Sequence, residues 1–199
     1  MKIKRNQKIE RTSKKQGPNG TPVKAAPKPK MGTQIIPKER YTSRDYMQQE
    51  WDKLWTKVWL LACREEDLPE PGDHYVTEIG VESILLVRQK DMSIRAFYNV
   101  CQHRGNKLVH SFEQPQEAAQ SFKCKYHDWE YGLDGGFVDI PDLETFPQGA
   151  PDCSGLTSLP CDSWGSFVWF SLNPDAEPLK DYLGIIPEHL NPYHFERMV

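Results

Sequence analysis

The sequence has no long apolar run. No stretch of its 199 residues approaches the roughly 20 apolar residues that a membrane-spanning helix requires. No apolar segment follows the early lysines, which argues against a secretory signal, and the same region is too poor in serine for a transit peptide. The expectation is a cytoplasmic protein without a membrane partner.

Cysteine is scarce and odd in number: Cys63, Cys101, Cys124, Cys153 and Cys161. Without a secretion signal, this argues against a disulfide framework and for metal ligation or free thiols. Cys63 follows an apolar run and reads as a buried core thiol; Cys153 and Cys161 could pair or bind metal, but Cys161 stands where a strand begins and reads rather as a free thiol. Positive charge is short everywhere except at the beginning. Residues 1 to 30 carry ten Lys or Arg against the single acid Glu10, leaving fifteen bases against twenty-seven acids in the rest. The first 35 residues also have almost no apolar side chains to offset their ordering entropy, so they are expected to be a disordered basic tail. Such a tail can meet nucleic acid, but charge runs are commonly just solvated, and nucleic acid is not the expected partner. No internal repeat is visible.

What remains is enough for one modest core, with 38% hydrophobic residues. Thr42 or Ser43 can cap a helix, with Asp45 in its first turn. Met47, Trp51, Leu54, Trp55 and Val58 then recur at helical spacing, as a packing face would. Residues 36–70 are thus read as a helix and lead-in. Strand-like segments follow at Trp59 to Cys63, His74 to Ile79, Ser83 to Arg88, Ser93 to Val100 and Phe167 to Leu172. Breaks at Pro69, Pro71, Gly72, Gly80 and Lys90-Asp91, and the hairpin signal Asp134-Gly135-Gly136, separate strand-like stretches. The fold class expected is mainly β, a small antiparallel domain behind an N-terminal helix.

Two short stretches carry the chemistry. Asn99-Val-Cys101-Gln-His103-Arg-Gly105 and Cys124-Lys-Tyr-His127-Asp-Trp129 each offer one thiolate and one imidazole, with twenty residues between His103 and Cys124. Ligand type alone suits zinc or an iron-sulfur cluster. Zinc fingers usually pair like ligands within an arm, whereas both arms here are mixed. Mixed arms suit two unlike irons, Cys101 and Cys124 on one and His103 and His127 on the other, the ligation of a Rieske [2Fe-2S] centre. Gly105 reads as a positive-φ residue that lets its loop turn, and Trp129 as core beneath the second loop. His74, His110, His189 and His194 lack partners at ligand spacing.

With these motifs, residues 36 to 199 resemble the Rieske part of aromatic-ring-hydroxylating oxygenase α-subunits and their demethylating relatives. The respiratory Rieske branch has an extra cysteine in each cluster loop, joined as a disulfide; here those positions are Asn106 and Tyr126. Asp128 departs from the glycine common between the ligand His and the Trp. The resemblance implies a Rieske domain over 71–175, with 176–199 leading toward a catalytic domain. It also implies electrons from a reductase or ferredoxin, an acceptor mononuclear Fe(II) in another domain or a neighbouring subunit, and a homo-oligomeric full enzyme. The family's two-His, one-carboxylate pattern is not found: His189 and His194 stand near Glu188 and Glu196, but Pro187, Asn191 and Pro192 are expected to break any helix presenting them. No catalytic residue is therefore assigned, and the chain is expected to carry electrons without oxygenating a substrate itself. The alternatives are a stand-alone Rieske-type ferredoxin and a structural zinc module.

Overall fold

The computed structural model describes residues 35–110, 118–147 and 155–198. The basic tail and its expected disorder, and Cys153, lie outside the described residues. Ser43 begins the first substantial helix: its Oγ accepts the Tyr46 N–H at 3.2 Å, capping α2 (Arg44–Glu50) directly after the single turn α1 (Glu39–Thr42). The helix then widens into a π-helical turn over Trp51–Trp55. For the residues after Trp51 this turn accounts for a difference from the sequence reading, while Met47 precedes it on α2. Met47, Leu54 and Trp55 remain 59%, 43% and 39% exposed, while Trp51 and Val58 reach the core. A turn with i→i+5 bonds rotates the following residues out of the 3.6-residue period, and the Trp51 ring instead lies against Gly80.

Among the described residues, ten short strands form three antiparallel sheets. β1 (Trp59–Arg64), β9 (Cys161–Trp164) and β10 (Phe167–Ser171) make one, in the order β1-β10-β9. The second runs β2-β3-β4-β8, from β2 (His74–Ile79), β3 (Glu82–Arg88), β4 (Ile94–Tyr98) and β8 (Ser158–Leu159). β5 (Ser121–Lys123), β6 (Glu130–Gly132) and β7 (Phe137–Asp139) make the third. This is the mainly antiparallel architecture that the turn spacing implies.

The second sheet divides the core. Alternate residues of a strand face opposite sides. On one side Val76, Leu85, Val87 and Phe97 pack with Cys101, Phe122, Cys124, Trp129 and Tyr131. On the other, Ile84, Leu86, Ala96 and Leu159 pack with Leu60, Cys63, Val168 and Phe170. β3 is thus buried on both faces, which is why Ile84-Leu85-Leu86-Val87 is a continuous apolar run without alternation. At its end the buried Arg88 donates from Nε to Leu68 O at 2.6 Å, from Nη1 to Met92 O at 2.7 Å and from Nη2 to Glu65 O at 3.0 Å.

Cys63 is buried, and Cys161 is half-buried against the same core. Burial first, then neighbouring negative charge, pushes both thiols from 9.0 up to about 12. The neutral thiol is the form favoured by folding. Above about pH 9 the unfolded chain therefore loses these protons first, and stability falls as pH rises toward 12. At pH 8 only about one thiol in ten thousand is ionised at such a pKa. Iodoacetamide at pH 8 is expected to leave Cys63 and Cys161 unmodified in the native chain and to label both in guanidinium. Native labelling of either, read by peptide mass spectrometry, contradicts this.

After β10, α3 (Leu179–Leu183) buries Leu179 and Leu183 beside Trp59, whose indole N–H donates to Glu177 O at 2.9 Å. The break expected at Pro187 does not occur there. Pro187 falls in the first turn of α4 (Ile186–Leu190), where no intrahelical N–H is missed, and the helix ends at Asn191-Pro192. His194 Nδ1 lies 3.1 Å from Glu196 Oε1 in the closing turns.

Candidate metal centre

The two ligand-bearing stretches leave the ends of strands: the first follows β4 and the second joins β5 to β6. Their backbones repeat one wiring. Cys101 donates to Asn106 O at 2.8 Å and its carbonyl accepts the Gly105 N–H at 2.9 Å; Cys124 donates to Trp129 O at 2.8 Å and its carbonyl accepts the Asp128 N–H at 3.0 Å. In both, the fourth residue after the cysteine has a positive φ, +71° at Gly105 and +60° at Asp128. Glycine adopts this conformation freely and aspartate is among the few others that tolerate it. Asp128 therefore fills the role that Gly105 fills in the first turn, with its side chain out in solvent 4.0 Å from Lys123 Nζ.

A third residue, which the sequence marked only as the start of a motif, ties the first loop to the sheet. Asn99 is 1% exposed. Its Nδ2 donates to Ser83 Oγ at 3.1 Å and Val109 O at 2.6 Å, and its Oδ1 accepts the N–H groups of Leu108 and Val109 at 3.2 and 3.1 Å. Both donors and both lone pairs of a buried amide are thereby satisfied. Tyr131 escaped the sequence reading altogether. From β6 its fully buried ring brings the hydroxyl to 3.2 Å from Cys101 Sγ and accepts the Gln102 N–H at 2.9 Å. When Cys101 is a thiolate it can only accept, so the phenol donates its proton to the sulfur. Burial and the Cys101 contact push the Tyr131 pKa up, which keeps that proton in place. Thirty residues separate the pair in sequence, so no local spacing reveals it.

The four expected ligands come together as two pairs. Cys101 and Cys124 are both 2% exposed, and each thiol influences the titration of the other. His103 and His127 are the outer pair, ring centroids 4.6 Å apart. His103 is stacked on Trp129 at 4.6 Å and 8°, and Tyr126 covers His127 at 3.8 Å. Burial raises the Cys101 thiol pKa. Burial also acts upward on Cys124, but the N–H groups of Tyr126 and His127, with the Cys101 and Asn106 side chains, outweigh it and leave that thiol below its ordinary value. His103 is held below the usual imidazole range by desolvation, then by the charges of His127 and Arg104. Among the described residues no three His, Cys, Asp or Glu side chains converge on one point. The donor set is two soft sulfurs inside and two imidazoles outside, which fits a cluster with two unlike irons better than one tetrahedral ion.

A family model described as the Rieske [2Fe-2S] domain matches residues 58–160, more than half of the chain. The chain belongs to the Rieske [2Fe-2S] family. Its cofactor is accordingly a Rieske-type [2Fe-2S] cluster, a one-electron carrier. The large oxygenase component of the 2,4-dinitrotoluene dioxygenase system of Burkholderia sp. is 33% identical over 155 residues, 76% of this chain and 34% of that protein. The oxygenase subunit of Escherichia coli carnitine monooxygenase is 31% identical over 148 residues, 74% of this chain and 39% of that protein. The crystal structure of the apo form of a quaternary ammonium Rieske monooxygenase superposes with a TM-score of 0.73 at 28% identity, over 79% of this chain and 45% of that one. This Rieske chain thus spans about a third of the length of the curated relatives it matches. No helix among its described residues is long and apolar enough to cross a membrane.

Proposed function

We propose that this chain is the electron-delivering part of a Rieske oxygenase α-subunit, with Cys101 and Cys124 ligating one iron and His103 and His127 the other. The observation that carries the assignment is the division of the donors into a buried sulfur pair and an outer imidazole pair. When bound, the cluster supplies one-electron chemistry. The chain's own residues shape what that electron meets. The Tyr131 hydroxyl steadies negative charge on the Cys101 sulfur, and Trp129 fixes the plane of the His103 ring. His103 and His127 lie toward the surface, and Tyr126 over His127 is 59% exposed, so this side is the route to a redox partner. Electrons enter from a reductase or ferredoxin and leave toward a mononuclear iron held by another domain or subunit. The relatives act, by their names, on dinitrotoluene and on carnitine, so the match singles out no one substrate class.

The chain purified without oxygen is expected to contain two irons and two acid-labile sulfides, and to give the low-temperature EPR signal of a reduced Rieske centre with dithionite. Zinc without sulfide overturns the assignment. Oxygenation of a substrate by this chain alone, supplied only with a reductase, overturns the separation of electron delivery from catalysis.

A further inference from the structure

Asn106 belongs to both ligand loops at once. Its backbone carbonyl closes the first turn by accepting the Cys101 N–H at 2.8 Å. Its side chain leaves that turn and reaches the second: Nδ2 donates to Lys107 O at 2.8 Å and lies 3.8 Å from Cys124 Sγ. The amide orientation follows from its neighbours. A carbonyl oxygen and a thiolate sulfur both accept, so the nitrogen, with its two N–H groups, must face them. Cys101 and Cys124 are both free thiols, so no disulfide between them joins the loops.

Each ligand sulfur has a different side-chain donor from the opposite stretch of chain. Cys101 in the first loop has the Tyr131 hydroxyl from β6, and Cys124 in the second has the Asn106 amide from the first. Adding an electron increases negative charge on the cysteinyl sulfurs, and an N–H aimed at sulfur favours the more negative state. At 3.8 Å the Asn106 contact is the longer of the two, so its effect is the smaller.

We infer that Asn106 is a positioning residue for the cluster, whose N–H···S contact from the first loop to Cys124 holds the two loops together and raises the reduction potential. The inference rests on the assignment of Cys124 as a ligand. Substituting the side chain leaves the backbone carbonyl in place, so the closure of the first turn is retained while the cross-loop donor is removed.

The test compares the wild-type chain with Asn106→Leu, which keeps similar bulk without an N–H, and Asn106→Gln, which keeps the amide. The midpoint potential is followed by EPR in a mediated titration, and cluster retention by visible absorbance under a chelator. The Leu variant is expected to show a lower midpoint and to bleach several times faster, with Gln between Leu and wild type. A Leu variant matching the wild type in both measurements overturns the inference. If the Leu variant is isolated empty, the Gln variant decides: a retained cluster supports the donor role, and an empty Gln variant overturns it. A wild-type chain without iron and sulfide indicts the ligand assignment instead, and does so before any variant is compared.

Discussion

Alanine in place of Cys124 or His127 is expected to give a folded chain with essentially no [2Fe-2S] cluster. In the proposed ligation each side chain supplies one of four protein bonds, and a methyl group can supply none. The fold should survive, because the second turn is closed by the backbone bonds Cys124 N–H to Trp129 O and Asp128 N–H to Cys124 O, which alanine retains. Removing one buried sulfur costs on the order of 1 kcal/mol in packing, well inside the margin of a domain of this size. Iron and sulfide content should fall from two each per chain to near zero, with unchanged far-ultraviolet circular dichroism. His103→Ala should behave alike but with a further loss of thermal stability, since that ring is stacked on the buried Trp129. A variant that keeps both the cluster and the wild-type EPR spectrum removes its residue from the ligand set.

The second large effect lies away from the site. Arg88→Met is expected to destabilise the chain by roughly 3 kcal/mol, because three carbonyls lose a charged donor and two of them are only partly reached by water. At the usual scaling that is a fall in melting temperature of about 10 °C. Arg88→Lys should recover little, since one ammonium cannot span Leu68, Met92 and Glu65 in the way a planar guanidinium does. Urea unfolding of the cluster-loaded chain measures both variants. A shift below about 1 kcal/mol would mean that the 65–68 turn holds without Arg88.

How much of this was legible in the sequence varies with the range of the contact. β2 has the bounds read from the sequence, and β1, β3, β4 and β10 differ by a residue or a few at their ends. The four proposed ligands could be picked out because the motif is local: one residue separates Cys101 from His103 and two separate Cys124 from His127. β5 to β9 were not read as strands, being two to four residues long and held by pairing rather than by their own propensity. The stripe misled at Leu54 and Trp55 because the period it assumed is broken by the π-helical turn over Trp51–Trp55. Tyr131, Asn106 and the four-bond role of Asn99 depend on which loops meet in space, which no window of sequence contains. Asp128 stood out as an oddity in the sequence, and its left-handed conformation supplies the reason such a residue is accepted there.

The repeated wiring of the two turns bears on speed. Electron transfer slows in proportion to what must rearrange when charge arrives, and here the donors around the sulfurs are fixed before it does. Each turn is closed by its own backbone, the first is pinned through Asn99 to the sheet, and β3 beneath them is packed on both faces. The expected result is a low reorganisation energy at the sulfur end of the site. Adjustment is left to the outer side, where Tyr126 and His127 meet solvent.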